Sequence, residues 1–176
     1  MNVMKDIKTV NPPIEKKVEN ELIIFAPHPD DEIIGCYEVL IDETVSPIIL
    51  YSATNDQIRV NEALKLRDIT NVKAQMFVKN IPGHLIDITN KYYFPNPIYE
   101  THPAHREKGH IGEMFLRMGF DVTFYSTEMN YHAKYECKDS AGKLEMLNKI
   151  YPSQKSLWEH EHKYFLFSCY EKWVII

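Results

Sequence analysis

The sequence predicts an α/β fold, a Rossmann-like three-layer sandwich with a mainly parallel sheet. Three observations lead to this prediction: short apolar runs of strand length, amphipathic segments of helix length, and their alternation along the chain. The 176 residues suffice to bury a substantial core, and we expect one domain over 1–176 with an N-terminal arm at 1–20. Ligands of such folds bind at the carboxyl ends of the strands.

The first half of the chain predicts two strands, each followed by a helix. Residues 22–26 form a wholly apolar run, typical of a strand buried on both faces. The acidic residues that follow suit the first turn of a helix that runs to about residue 41. Residues 48–51 predict a second strand, and residues 57–71 predict a second helix. The apolar positions of that helix lie near Ile58, Leu64 and Ile69.

The second half continues the alternation. Residues 73–80 predict a third strand, whereas residues 89–103 contain three prolines and predict a loop with room for one short strand. The clearest helical signal is an apolar stripe at Ile111, Met114, Phe115 and Met118. Residues 120–127 predict another strand, and a last helix is expected to end at Pro152. The apolar residues of that helix are Leu144, Leu147 and Ile150. The aromatic segment 163–176 is ambiguous between strand and helix.

Composition limits the function classes. The formal net charge of −5 argues against nucleic-acid binding through a general basic face. No run approaches the roughly 18 apolar residues of a transmembrane helix, and the N-terminal residues do not resemble a secretory signal. The three cysteines, Cys36, Cys137 and Cys169, are widely spaced, which favours reduced thiols and a cytoplasmic location.

Three adjacent carboxylates mark the most informative stretch. Residues 25–35 read FAPHPDDEIIG, so a predicted strand is followed by a histidine, a proline and three acids. Adjacent carboxylates repel one another, and a fold that keeps them together supplies a cation, a proton or full solvation. His28 and Asp31 lie three residues apart on a turn that enters a helix, and their side chains are of the types that bind zinc. Taken alone, the acids also suit a helix start without any ion.

A second cluster lies just before the helix with the apolar stripe. Residues 101–110 read THPAHREKGH and offer His102, His105 and His110. The carboxyl ends of parallel strands meet at one edge of a sheet, so this stretch could supply a further ligand to the first cluster. A pair of surface histidines is the alternative. Both clusters follow predicted strands and both contain a His-Pro dipeptide, which together favour a metal site.

The same residues carry a family resemblance. APHPDDEIIGC resembles the first signature of the zinc-dependent N-acetylglucosaminyl deacetylase family (PIG-L/LmbE-like), and His-Pro-Ala-His at 102–105 is similar to its His-Pro-Asp-His motif. IRVNEALKLRD is similar to the family's Arg-x-x-Glu helix, and KLEMLNKIYPSQ to its late Lys-x-x-x-Leu…Ser-Gln signature. The matching positions are Arg59, Glu62, Lys143, Ser153 and Gln154. The order of the matches implies a single deacetylase domain.

The resemblance implies a zinc-dependent hydrolase that removes an N-acetyl group from an amino sugar or its conjugate, a small-molecule substrate. It implies that His28, Asp31 and His105 bind zinc. It also implies that Asp30 is the general base, and that His102 is the general acid or the group that stabilises the oxyanion. These side chains fit such chemistry, since a carboxylate beside a zinc site can take a proton from water.

Other residues are implied less directly. Arg59 matches a substrate-binding position, and an exposed Arg-Glu pair on the helix is the structural alternative. Glu32 is expected to serve the helix start or to support a ligand. Ala104 stands where the family has Asp, and Glu100 or Glu107 is a candidate substitute. Two other functions stay open: a zinc-containing family member that binds sugar or a partner without catalysis, and a metallohydrolase that acts on a modified nucleotide.

Overall fold

A computed structural model describes residues 20–127 and 137–159 of the chain. In these ranges strands and helices alternate along the sequence, as predicted. The strands are β1 (Leu22–Ala26), β2 (Ile48–Tyr51), β3 (Ala74–Phe77), β4 (Lys91–Pro95) and β5 (Asp121–Tyr125). The helices are α1 (Asp31–Leu40), α2 (Gln57–Leu64), α3 (Pro103–Arg117), α4 (Ser140–Ile150) and α5 (Ser156–Glu159). Short 3-10 helices cover Lys65–Asp68, Gly83–Leu85 and Pro152–Gln154.

The five strands form one parallel sheet in the order β3-β2-β1-β4-β5. This arrangement confirms the predicted α/β, Rossmann-like fold. Strand order reverses between β1 and β4, because the chain adds strands on one side of β1 first and then on the other. Such a reversal opens a crevice at the carboxyl ends of the two strands, where ligands of these folds bind.

Alternate residues of β1 supply the two apolar layers on either side of the sheet. Ile24 and Ala26 join the core that α1, α2 and α4 form on one face. Ile23 and Phe25 point the other way and join the core against which α3 packs. A strand buried on both faces requires an uninterrupted apolar run, which is the pattern that the sequence shows there.

The prediction for α2 is wrong in length. The predicted helix over 57–71 is α-helical only to Leu64 and continues as a 3-10 helix to Asp68. The three apolar positions that the sequence suggested are exposed: Ile58, Leu64 and Ile69. At 100° per residue, Leu64 lies about 120° around the helix from Ile58, and Ile69 follows the end of the 3-10 helix, so the three form no common apolar face. Ala63 and Leu66 are buried in their place.

The predicted helix α3 is present, but only two of the four residues in its predicted apolar stripe pack against the core. Ile111 and Phe115 pack against the core, whereas Met114 and Met118 are 61% and 65% exposed. The buried residues of the helix lie on an offset face: His105, Lys108, Gly109 and Gly112. A pattern built on large apolar residues overlooks this face because two of its members are glycines.

Those two glycines let α3 lie close against the sheet. A Cβ atom at Gly109 would lie 2.7 Å from the carbonyl oxygen of Pro95. A Cβ atom at Gly112 would lie 2.8 Å from side-chain atoms of Phe94 and Phe124. Both distances are shorter than carbon atoms tolerate, so the close approach of the helix depends on glycine. His105 lies one turn before Gly109 on the same face and therefore reaches the edge of the sheet.

The one short strand that the prediction allowed within residues 89–103 is β4 (Lys91–Pro95), which lies beside the central strand of the sheet. Tyr92 pairs with Ile23 of β1 on one side and with Val122 of β5 on the other. The prolines suggested irregular structure, but Pro95 is the last residue of β4, where a missing N–H interrupts the ladder least.

Some expectations concern the ends of the chain. Except for Asn20, the N-terminal arm lies outside the described residues, as do Cys169 and the segment 163–176. The two described cysteines, Cys36 and Cys137, are buried. Among the helices of the two described ranges, none has the length and apolar character needed to cross a membrane.

Candidate metal centre

The two histidine clusters meet at the crevice between β1 and β4. His28 lies two residues after the end of β1, in the turn that leads to α1. His102 is the N-cap of α3, and His105 lies in the first turn of that helix. The fold thus joins two stretches separated by 77 positions, His28 and His105, at one edge of the sheet.

Three potential ligand atoms form a compact triangle. His28 Nδ1 lies 3.0 Å from His105 Nε2 and 3.4 Å from Asp31 Oδ2. The third side, from His105 Nε2 to Asp31 Oδ2, is 3.1 Å. A zinc ion with bonds of about 2.0–2.1 Å keeps tetrahedral ligand atoms about 3.3–3.4 Å apart. The triangle therefore has nearly the size of one face of a zinc tetrahedron, and its residue types suit that ion.

The charges at the triangle are strongly perturbed. Burial would raise the pKa of Asp31, but His105 and His28 beside it lower that pKa well below its usual range. Burial lowers the pKa of His105, but Asp31 and Glu100 more than offset this and raise it to about 10. Without a metal ion, His105 is therefore protonated near neutral pH, and its positive charge offsets part of the negative charge of Asp31 and Glu100. A cation at the same place would meet the same negative charge.

His102 completes a group of three histidines that could hold a metal ion. One ring nitrogen each from His28, His102 and His105 lie within 4.8 Å of one another, the one such group found in the described part of the chain. His102 differs from the other two in its hydrogen bonding. Its Nδ1 accepts a 3.2 Å hydrogen bond from the backbone N–H of Ala104, which caps α3.

The tautomer of His102 follows from that cap. A neutral ring whose Nδ1 accepts a hydrogen bond carries its proton on Nε2. Desolvation, with His28 and His105 close by, lowers the pKa of His102 below its ordinary value. The ring is therefore neutral near pH 7, and its Nε2–H is a hydrogen-bond donor. A metal ion would require a lone pair at that nitrogen and would break the cap.

Asp30 lies beside the triangle in an unusual backbone conformation. Its φ of 111° makes it the one non-glycine residue with positive φ among the described residues. Arg59 Nη2 lies 2.7 Å from Asp30 Oδ1 and also donates a 2.5 Å hydrogen bond to the carbonyl of Pro29. Burial, with Asp31 and Glu32 nearby, raises the pKa of Asp30, and Arg59 acts in the opposite direction. The carboxylate is thus a stronger proton acceptor than usual.

Arg59 lies against Asp30, away from the partner that the structural alternative assigned to it. That partner, Glu62, is buried and accepts hydrogen bonds from the backbone N–H and the hydroxyl of Ser153 at 2.9 and 2.5 Å. In the structure, Arg59, the predicted substrate-binding residue, therefore forms an ion pair with Asp30, the predicted base. It also explains the late motif physically, since Ser153 anchors the helix that carries Arg59.

Glu32 stabilises the turn between β1 and α1 from its buried side. It is fully buried and accepts hydrogen bonds from the backbone N–H of Asp30 at 3.1 Å and from the Tyr151 hydroxyl at 2.5 Å. Burial raises the pKa of Glu32 to about 7, although the Tyr151 hydrogen bond lowers it. The sequence interpretation placed Glu32 at the helix start but did not single out Tyr151. The one sequence feature that could have pointed to Tyr151 is its position directly before Pro152-Ser153-Gln154.

Of the two candidate substitutes for the carboxylate absent at Ala104, one contacts the triangle. Glu100 Oε2 lies 2.8 Å from His105 Nδ1, whereas Glu107 is exposed and pairs with Lys108 at 2.8 Å. Thr127, which the sequence interpretation overlooked, donates to both oxygens of Glu100. No pattern in the sequence singles out this threonine, since it is brought to Glu100 by the pairing of β4 with β5.

Comparison with models of known protein families, with curated proteins and with solved structures finds no match for this chain.

Proposed function

We propose that the protein is a zinc-dependent hydrolase whose ion is held by His28, Asp31 and His105. The observation that carries the proposal is the triangle of their ligand atoms, with sides of 3.0, 3.1 and 3.4 Å. Asp31 and His105 are buried and His28 is partly exposed, so three ligands are fixed on one side while the other stays accessible. A catalytic zinc site has this form, with three protein ligands and an open position.

In this proposal His102 does not bind the ion. Its N-cap hydrogen bond from Ala104 leaves the proton on Nε2, and a protonated nitrogen cannot donate a lone pair to a metal. The other three residues bind without disturbing any helix cap. The ring of His102 lies next to the triangle, with its centroid 4.8 Å from that of His28 and 5.1 Å from that of His105, so its Nε2–H is proposed to stabilise negative charge on a substrate oxygen.

When bound, the ion would polarise an amide carbonyl and make water more acidic. Asp30 takes a proton from the attacking water, and Arg59 orients its carboxylate by binding Oδ1. His102 donates its Nε2–H to the developing oxyanion. Asp30 then returns the proton to the departing amine, because a neutral His102 with a capped Nδ1 has no second proton to give. The proton that leaves water thus ends on the amine.

The proposed reaction is removal of an N-acetyl group from an amino sugar or its conjugate. This finer assignment rests on the resemblance of the first, second and late motifs to the N-acetylglucosaminyl deacetylases. We propose Arg59 as a substrate-binding residue as well, since it lies beside the base. A cytoplasmic location, with the three widely spaced cysteines kept as reduced thiols, is part of the proposal.

A panel of N-acetylated sugars and sugar conjugates tests this function. The zinc-loaded protein should release free amine and acetate from at least one member of the panel. The same preparation of Asp30→Asn should release about 10²-fold less, the usual loss when a general base is removed. His110→Ala is the matched control, since His110 is exposed on α3 and binds Glu113 at 2.8 Å. Its activity should equal that of the wild type.

The outcome also separates the rival functions. Zinc-loaded protein that binds N-acetylated sugars but releases no amine from any of them would contradict the proposed hydrolysis and favour a sugar-binding role. Release of product from a modified nucleotide alone would favour the nucleotide hydrolase.

A further inference from the structure

Glu100 is a buried carboxylate in the loop between β4 and α3. It is 2% exposed, which is rare for a glutamate. Asn96 shapes the loop that carries it: its side-chain oxygen accepts hydrogen bonds from the backbone N–H of Ile98 and Tyr99, and its carbonyl accepts one from the backbone N–H of Glu100. The loop therefore turns back and directs Glu100 inward.

Both oxygens of this carboxylate are engaged. Thr127 donates its backbone N–H to Oε1 at 2.6 Å and its hydroxyl to Oε2 at 2.9 Å. His105 Nδ1 lies 2.8 Å from Oε2, and the Thr127 hydroxyl oxygen lies 3.1 Å from the same nitrogen. Thr127 thus fixes the carboxylate, and the carboxylate accepts the Nδ1–H of His105.

We propose that Glu100 is the positioning residue of His105, which it holds in the Nδ1–H tautomer with Nε2 directed at the metal site. The inference rests on the proposed function, because His105 is one of its three zinc ligands. With Nδ1–H bound to Glu100, Nε2 is the nitrogen that faces Asp31 Oδ2 and His28 Nδ1, at 3.1 and 3.0 Å, and it is free to bind once a metal ion displaces its proton. Carboxylates that hold a ligating imidazole in this manner orient the ring and increase its basicity.

This role is not the one that the sequence interpretation considered. The sequence offered Glu100 only as one of two substitutes for the carboxylate that Ala104 replaces, whereas the structure gives it a hydrogen bond with His105. Glu107 is nearer to His105 along the chain, but its side chain is 69% exposed and pairs with Lys108. Glu107 therefore offers a control: it carries the same charge as Glu100 and lies on α3 near His105, but it does not contact that ring.

The rate of metal release tests the positioning role. Zinc-loaded protein is mixed with an excess of a chromophoric chelator at pH 7.5, and the release of zinc is followed. We choose the release rate over the equilibrium affinity because protons compete with zinc for the metal-free site. Changes in the pKa of His105 would therefore alter the affinity directly. Glu100→Gln keeps the size and an acceptor, so we expect release about 10-fold faster than in the wild type. Glu100→Ala should release about 100-fold faster, and Glu107→Gln should be unchanged.

A second readout does not depend on metal. The Nδ1–H of His105, buried against a carboxylate, should give a slowly exchanging proton signal far downfield in the NMR spectrum of the metal-free protein. The signal is assigned by its absence in His105→Gln and by its correlation with Nδ1, because the metal-free ring also carries a proton on Nε2 beside Asp31. It should be lost in Glu100→Ala and kept in Glu107→Gln. Circular dichroism checks that each variant is folded. If Glu100→Ala is unfolded, Glu100→Gln is used for the same measurement.

The results separate this inference from the proposed function. Two results together would overturn the positioning role even if zinc binds. Glu100→Gln and Glu100→Ala would release zinc at rates within twofold of the wild type, and Glu100→Ala would retain the proton signal. A wild-type protein that binds no zinc would overturn the proposed function. In that case the proton signal alone decides whether Glu100 holds His105.

Discussion

The hydroxyl of Tyr151 donates a 2.5 Å hydrogen bond to Oε1 of Glu32, which ties the end of α4 to the first turn of α1. The other oxygen of Glu32 accepts the backbone N–H of Asp30, whose φ is 111°. Backbone conformations of this kind persist only where neighbouring groups hold them, and they concentrate at functional sites. The contact therefore links a residue near the late motif to the conformation of the proposed base.

Tyr151→Phe should lower turnover more than it lowers zinc content. The change removes one donor from a buried carboxylate, which costs about 1–3 kcal/mol of stability and loosens the turn that carries Asp30. We expect kcat to fall about tenfold with zinc content unchanged, on the scale of one lost buried hydrogen bond. Tyr37→Phe is the control, because the Tyr37 hydroxyl donates to Asp139 at 3.0 Å, away from Asp30. Equal kcat values for the two variants would contradict the link.

The two adjacent aspartates should respond differently to the same substitution. Asp30→Asn should keep zinc and lose at least about 10²-fold in turnover, because it removes the base and leaves the ligands. Asp31→Asn should lose zinc, because Asp31 supplies one corner of the triangle. Zinc content by elemental analysis and kcat for each variant check this. Zinc lost from Asp30→Asn but retained by Asp31→Asn would mean that the roles are reversed.

Zinc affinity should increase with pH. The pKa of His105 in the metal-free protein is raised to about 10, so below that pH the ion must displace a proton from this ring. The apparent affinity should therefore fall by about tenfold for each pH unit below 10, with about one proton released per ion. Chelator competition between pH 6 and 8, with calorimetry in buffers of different ionisation enthalpy, measures both quantities. An affinity independent of pH over this range would show that no proton is displaced.

Gly109→Ala should destabilise the fold. The added Cβ would lie 2.7 Å from the carbonyl oxygen of Pro95, so α3 must move away from the sheet. Overpacking of this kind costs about 1–3 kcal/mol in the free energy of unfolding. Gly83→Ala is the control, since a Cβ there meets no atom within 4 Å. Chemical denaturation of both variants measures the difference, and equal stabilities would contradict the close approach of α3.

The sequence predicts most of the fold because the buried strands are plain apolar runs. β1 and the acidic turn after it were placed correctly, since a strand covered on both faces leaves no room for polar residues. β4 was expected only as one short strand without bounds inside a loop, because the prolines of residues 89–103 dominate the local pattern and the pairing of β4 with β1 and β5 is long-range. The buried face of α3 was missed because Gly109 and Gly112 contribute by their small size, which hydrophobic periodicity does not register.

The candidate site divides in the same manner. His28, Asp31, His102 and His105 could be found from residue type and spacing, and the structure brings them together. Of the residues that support them, Glu100 was named only as one of two candidates, and Thr127 and Tyr151 were not singled out. Glu100, Thr127 and Tyr151 approach the site only through the pairing of β4 with β5 and the packing of α4. The hydrogen bonds that they make join residues up to 119 positions apart, and local patterns hold no record of such contacts.

The zinc content of five purified proteins tests the central claim most directly. The wild type, purified without chelator at neutral pH and dialysed against zinc, should hold one ion per chain. His28→Ala, Asp31→Ala and His105→Ala should each bind at least about tenfold more weakly, since even indirect losses at metal sites reach that size. His102→Ala should keep the ion, because its Nδ1 caps α3 and its Nε2 carries a proton. A wild type without zinc, or zinc lost from His102→Ala and kept by Asp31→Ala, would contradict the proposed site.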